Sequence, residues 1–85
     1  MADGLPAISG RQLMRLLKAD GWIQGHRTTH GVAFTKIDKQ GQCRTTIVPD
    51  KGRPLVPSTL HLILGLKQTC IGRQGVLELI ERFGL

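Results

Sequence analysis

Aromatic side chains are scarce in this 85-residue chain, with one Trp, two Phe and no Tyr. That scarcity argues against the row of stacked rings on which single-strand binders hold bases. Acidic residues are also few, six Asp and Glu against twelve Lys and Arg. Asp3, Asp20, Asp38, Asp50, Glu78 and Glu81 are scattered, so no paired carboxylates for glycoside-type acid and base work are suggested. Cysteine is limited to Cys43 and Cys70, too few for a disulfide scaffold, and both read as free thiols of a reducing compartment. No apolar run approaches the ~20 residues that cross a bilayer. The opening Met1-Ala2-Asp3-Gly4-Leu5-Pro6 lacks the basic and then apolar stretch of a secretory signal, so the expectation is a cytoplasmic protein with no membrane contact. Gly72-Arg73-Gln74-Gly75 lacks the Lys-Ser/Thr ending and the preceding strand of a phosphate-binding loop, which argues against nucleotide hydrolysis.

What the chain has is positive charge. The formal net charge is +6 and the isoelectric point about 10.2, which draws a small domain to polyanions and makes nucleic acid the first partner to consider. With so few rings, contacts to phosphate and sugar would dominate. At this length only one domain with a small core is feasible, and 40% hydrophobic residues is ordinary for a globular fold.

The first helix is announced by a capping box: Ser9 caps, Gln12 closes the box three residues later, and Ile8 staples onto Leu13. Leu13, Leu16 and Leu17 share one face, Arg11, Arg15 and Lys18 lie on the other, and Gly21 supplies the stop. From Trp22 the period becomes that of strands, with runs from Trp22 to about Arg27, from Val32 to Ile37 and from Cys43 to Val48. The turn Asp38-Lys39-Gln40-Gly41-Gln42 joins the last two, and Pro49 ends the third. After the polar loop Asp50-Lys51-Gly52-Arg53-Pro54, Pro57-Ser58-Thr59 opens a second helix with Leu60, Ile63 and Leu64 on one face and Gly65 as a weak spot inside it. A third amphipathic segment runs from Val76 to Phe83, with Glu78 and Arg82 paired at i,i+4 and Gly84 as the stop. The expected fold class is therefore α+β, a three-stranded antiparallel sheet with helices on one face in the order αβββαα. This is similar to the layout of double-stranded-RNA-binding domains.

Of the three histidines, His30 is the best placed for chemistry. It sits where one strand turns into the next, beside Gly31, which leaves the backbone open to close approach. An imidazole can take a proton from an RNA 2′-hydroxyl or give one to the leaving 5′-oxygen without a metal. The help it needs is positive charge on the transition state, and Arg27, Lys36, Arg44, Lys51 and Arg53 are spread over the adjacent strands and loop, none singled out by spacing. His26, His30 and Cys43 lack the paired spacings of a zinc site, so neither a metal nor a cofactor is expected. His61, after Leu60, is expected on the solvent side of the second helix or at the helix–sheet seam. Neither cysteine has a His and carboxylate in an identifiable nucleophile motif.

The ordered set of segments resembles the HicA toxin family, small dsRBD-like proteins paired with HicB antitoxins. Ser9-Gly10-Arg11-Gln12-Leu13, with Leu16-Leu17 and Gly21-Trp22, resembles the family's opening helix and the Gly-Trp after it. Thr29-His30 resembles the element carrying the family's catalytic histidine, Ile47-Val48-Pro49 its third strand, and Pro57-Ser58-Thr59-Leu60 with Ile63-Leu64 its closing helix start. The resemblance covers about residues 8–71 of a single HicA-like domain spanning 1–85, with residues 72–85 as a C-terminal helical extension expected to complete the core. Thr28-Thr29-His30-Gly31 departs from the family's Gly-Ser-His-His form in lacking the preceding glycine and the second histidine. What the resemblance implies is a type II toxin, a metal-independent ribonuclease that cleaves mRNA with His30 as general acid or base and is neutralised by a HicB-like antitoxin. The alternatives are a non-catalytic RNA-binding module, and an interaction protein whose positive surface docks an acidic partner. Salt-sensitive RNA affinity with no strand cleavage marks the first of these, and negligible RNA affinity the second.

Overall fold

A computed structural model describes residues 5–85. Residues 1–4, and with them Asp3 and most of the opening stretch read for a secretory signal, lie outside the described residues. Helix α1 (Gly10–Ala19) is followed by β1 (Ile23–Thr28), β2 (Gly31–Ile37), β3 (Cys43–Val48), α2 (Pro57–Leu64) and α3 (Gly72–Phe83). The strands form one antiparallel sheet in the order β1-β2-β3, the expected α+β arrangement.

Local chemistry sets both ends of α1. Ser9 Oγ accepts from the Gln12 amide at 3.0 Å, and Gln12 Oε1 accepts from the Ser9 amide at 2.9 Å, a complete capping box. At the other end Gly21 takes φ +97°. There the amides of Gly21 and Trp22 donate to the carbonyls of Lys18 and Leu17, the pattern that closes a helix through a left-handed glycine. Leu13, Leu16 and Leu17 are buried, while Arg11, Arg15 and Lys18 are exposed, as the periodicity requires.

The sheet is two-sided. Phe34 and Val48 are fully buried against the helices, whereas Ile23 and Ile37 on the opposite face are 71% and 60% exposed. The core joins Ile8 and the α1 leucines to Trp22, Val32, Phe34 and Val48, to Leu60, Ile63 and Leu64 of α2, and to Val76 and Leu79 of α3. Burying each large side chain of this kind contributes roughly 1.5–3 kcal/mol. Helix α3 thus supplies core residues, as expected of the C-terminal segment. Two boundaries differ from the sequence reading. Gly65 caps α2 in an extended conformation instead of lying inside it, its amide donating to the Leu62 carbonyl. Helix α3 begins at Gly72, a full turn before the first apolar-periodic residue, Val76, because amphipathic spacing marks the buried face and not the first turn.

Two close approaches fix how α1 meets the end of β3 and how β2 starts beside it. A Cβ on Gly10 would lie 1.7 Å from the Pro49 carbonyl oxygen, and one on Gly31 would lie 2.2 Å from that of Val48. Gly10→Ala is expected to cost about 1–3 kcal/mol or more, since the obstacle is backbone and not a movable side chain. Gly25→Ala, which meets only ordinary contacts with Ala33, should stay within about 0.5 kcal/mol. Urea denaturation of the two variants checks this, and equal midpoints would contradict it.

Candidate nucleic-acid interface

His30 stands on a two-residue turn, Thr29-His30, closed by the pair Thr28 and Gly31. The Thr28 hydroxyl holds the turn from within: it donates to the Gly31 carbonyl at 3.1 Å and accepts from the His30 amide at 3.1 Å. Gly31, at φ +146°, lets the turn close onto Val48 and Pro49. The imidazole is therefore carried on a braced backbone, exposed, next to Gly31, which packs against the end of β3 that leads into Asp50.

The loop 50–54 is tied to the start of α1. The Arg11 amide donates to the Lys51 carbonyl at 3.2 Å, the Leu55 amide to the Ile8 carbonyl at 2.7 Å, and Ser9 and Pro54 form an isolated bridge. Asp50, at the root of this loop, receives two guanidiniums, Arg27 at 2.6 Å and Arg11 at 3.3 Å. Hydrogen bonds from Arg27 and then Arg11 hold its carboxyl below the usual range.

Arg27 reaches Asp50 because β1 is bulged. Gln24 pairs with Phe34 and Arg27 with Val32, so β1 takes three steps where β2 takes two. Side chains alternate along a strand, so a regular ladder would have put Arg27 on the open face, and the extra residue turns it to the face of Val32. Gly25 in the middle of the run is the sequence signal for such a bulge.

Arg27 also lines a shallow cleft of about 290 Å³ with Arg11, Arg15 and Lys18 of α1, Gln24, Met14, Val32 and Asp50. Four cations line this cleft with one carboxylate, and Lys51 and Arg53 stand on the adjoining loop. Among the described residues Arg15, Lys18, Lys51 and Arg53 have no ion-pair partner. Of the cations nominated from sequence, the fold brings Arg27, Lys51 and Arg53 to the His30 end. The three α1 cations were legible as a basic helix face, but nothing in the spacing connected that face to the histidine.

Lys36 and Arg44 lie elsewhere. They pair with each other across β2 and β3, four residues along from Val32, which is about 13 Å at strand rise. Each is held: Lys36 Nζ meets Asp20 Oδ2 at 3.1 Å and donates to its carbonyl at 2.7 Å. Arg44 meets Asp38 at 3.0 Å and donates to the Leu66 carbonyl at 2.6 Å. The cleft they border, about 540 Å³, is lined by four cations and three carboxylates and is nearly neutral. The Asp38 carboxyl is also lowered, first by the Gln42 amide, with Arg44 and the Gln40 amide adding to it. His26 is exposed in the bulged stretch of β1, and His61 is exposed on α2. Among the described residues, no three His, Cys, Asp or Glu gather as a metal site, and no helix is long and apolar enough to cross a membrane.

The chain matches no known family model, no curated protein and no solved structure.

Because Asp50 and Asp38 are both depressed in the folded chain, their stabilisation is present above the unfolded Asp value and is lost as pH falls through the lower folded value. Thermal stability should therefore drop below about pH 4. Asp50→Asn should flatten that drop, and melting curves recorded between about pH 6 and pH 2 check it. An unchanged acid limb in the variant would contradict the assignment.

Proposed function

We propose that this chain is a metal-independent endoribonuclease, the toxin half of a cytoplasmic toxin–antitoxin pair, which binds mRNA across the α1–β1 flank and the 50–54 loop. The observation carrying this is that an exposed histidine stands on a braced turn at the end of the sheet to which the 50–54 loop with Lys51 and Arg53 is tied, beside a flank where four cations line a cleft with one carboxylate. The ordered HicA-like segments agree with it.

In that reading His30 takes the proton from a 2′-hydroxyl as its oxygen attacks the adjacent phosphorus, or returns a proton to the 5′-oxygen as the phosphorus–oxygen bond breaks. Proton transfer of this kind supplies about 10²- to 10⁴-fold. Arg27, Lys51 and Arg53, with Arg11 beside them, supply positive charge for the phosphate as negative charge builds on its oxygens. Lys36 and Arg44, held by Asp20 and Asp38, contribute at most to the general field. The same positive face suits an acidic, HicB-like antitoxin, which would inhibit by covering it.

A non-catalytic RNA-binding module is the second reading. It is favoured by one observation: among the described residues no side chain is bonded to the His30 imidazole, whereas a working base is ordinarily oriented by another group.

Controlled expression of the wild type should arrest growth and leave new RNA ends. His30→Ala should keep the fold and the RNA affinity and lose cleavage by about 10²- to 10⁴-fold. Arg27→Ala or Lys51→Ala should lower the slope of log affinity against log salt by about 0.7–0.9 per phosphate contact removed. Equal cleavage by folded His30→Ala refutes the catalytic assignment, and salt-sensitive binding with no cleavage by the wild type selects the second reading.

A further inference from the structure

The sheet ends on two free edges of unequal character. On the β1 side the bulge between Gln24 and Arg27 breaks the regular row of backbone groups, a common way for an edge to avoid pairing. The β3 side is regular: from Cys43 to Val48 every residue pairs in register with β2, without a shift.

The hairpin fixes which β3 groups are free. The Asp38 amide donates to the Gln42 carbonyl at 2.8 Å, so Asp38 and Gln42 form a hydrogen-bonded pair. In an antiparallel ladder such pairs alternate. Arg44, Thr46 and Val48 therefore bond to β2, and the amides and carbonyls of Cys43, Thr45 and Ile47 point away from the sheet. None of those outward groups finds a backbone partner among the described residues. The side chains of the same three residues are uncharged, and they are exposed on the face opposite the helices. Leu66, 79% exposed, stands beside the strand on the helix side, its carbonyl held by Arg44.

We propose that the β3 edge pairs antiparallel with the β3 edge of a second copy of this chain, about a twofold axis at Thr45, joining two three-stranded sheets into one. The strand's own pattern selects that occupant and that register. A twofold axis normal to the sheet keeps both open faces on the same side, so each residue must meet one of the same parity. Centring on Thr45 sets Thr45 against Thr45 and Cys43 against Ile47, so each outward amide and carbonyl of the three residues gains a partner. Centring on Thr46 would set Cys43 against Pro49, which has no amide hydrogen to give. The Thr45 register also sets Arg44 against Thr46 and never against another Arg44, avoiding like charges face to face. The edge carries no other charge, so it lets two chains of net +6 approach without setting their basic faces together. A pairing this small belongs in the micromolar to millimolar range. It is independent of the ribonuclease reading.

Sedimentation of the 9.3 kDa chain should show a monomer–dimer equilibrium that tightens with added salt, which screens repulsion between like-charged copies. Amide exchange at Cys43, Thr45 and Ile47 should slow as concentration rises. Thr45→Pro, which takes no backbone hydrogen bond from the β2–β3 ladder because the Thr45 amide points outward, should keep the circular dichroism spectrum and abolish the dimer, and Ile47→Lys serves if the proline variant fails to fold. A monomer up to about 1 mM, a dimer weakened by salt, or a dimer with those three amides still exchanging freely would each overturn the proposal. A monomer would leave the edge to a strand of some other protein.

Discussion

The backbone from Val48 to Lys51 is approached from two sides so closely that only glycine fits, by the first residue of α1 and by the residue after His30. That pinch is the constraint on which the rest depends. It brings the start of the basic helix, the histidine turn and the 50–54 loop to one end of the sheet. Asp50 then joins what the glycines brought near, taking Arg27 from the sheet and Arg11 from the helix. A surface pair contributes little stability by itself. Its effect is to hold two guanidiniums in place while leaving an excess of positive charge around them.

The result is a polarised molecule. Along the α1–β1 flank four cations line one cleft with a single carboxylate, whereas the cleft at the hairpin end is nearly balanced. A phosphate backbone responds to that difference more than to the net charge of the whole chain, because screening limits the reach of exposed charges to about 10 Å. The polarity is what gathers a generally basic composition onto one flank of the molecule.

Much of the architecture was legible in the sequence because its signals are local. The Ser9–Gln12 box, the leucine stripe, the Gly21 stop and the Asp38–Gln42 turn each depend on residues a few positions apart, and each is present. At Gly31 the space the glycine leaves is taken by the chain's own Val48 and Pro49 backbone. What could not be read was whatever depends on counting past an irregularity. One extra residue in β1 reverses the face on which Arg27 falls, and no tally of cations along the chain distinguishes Lys36, neutralised by Asp20 sixteen positions earlier, from Lys51, which has no counter-ion among the described residues. The α1 cations belonged to the same problem: their face was evident, but its neighbour was set by tertiary contact.

The most direct test of the account is an NMR titration of the ¹⁵N-labelled chain with a short RNA. The account predicts that the amides of Arg11, Arg15, Arg27, His30 and Lys51 to Arg53 shift together and that those of Lys36, Lys39 and Arg44 stay nearly fixed. Shifts centred on the hairpin end, or no shifts at low salt, would contradict it.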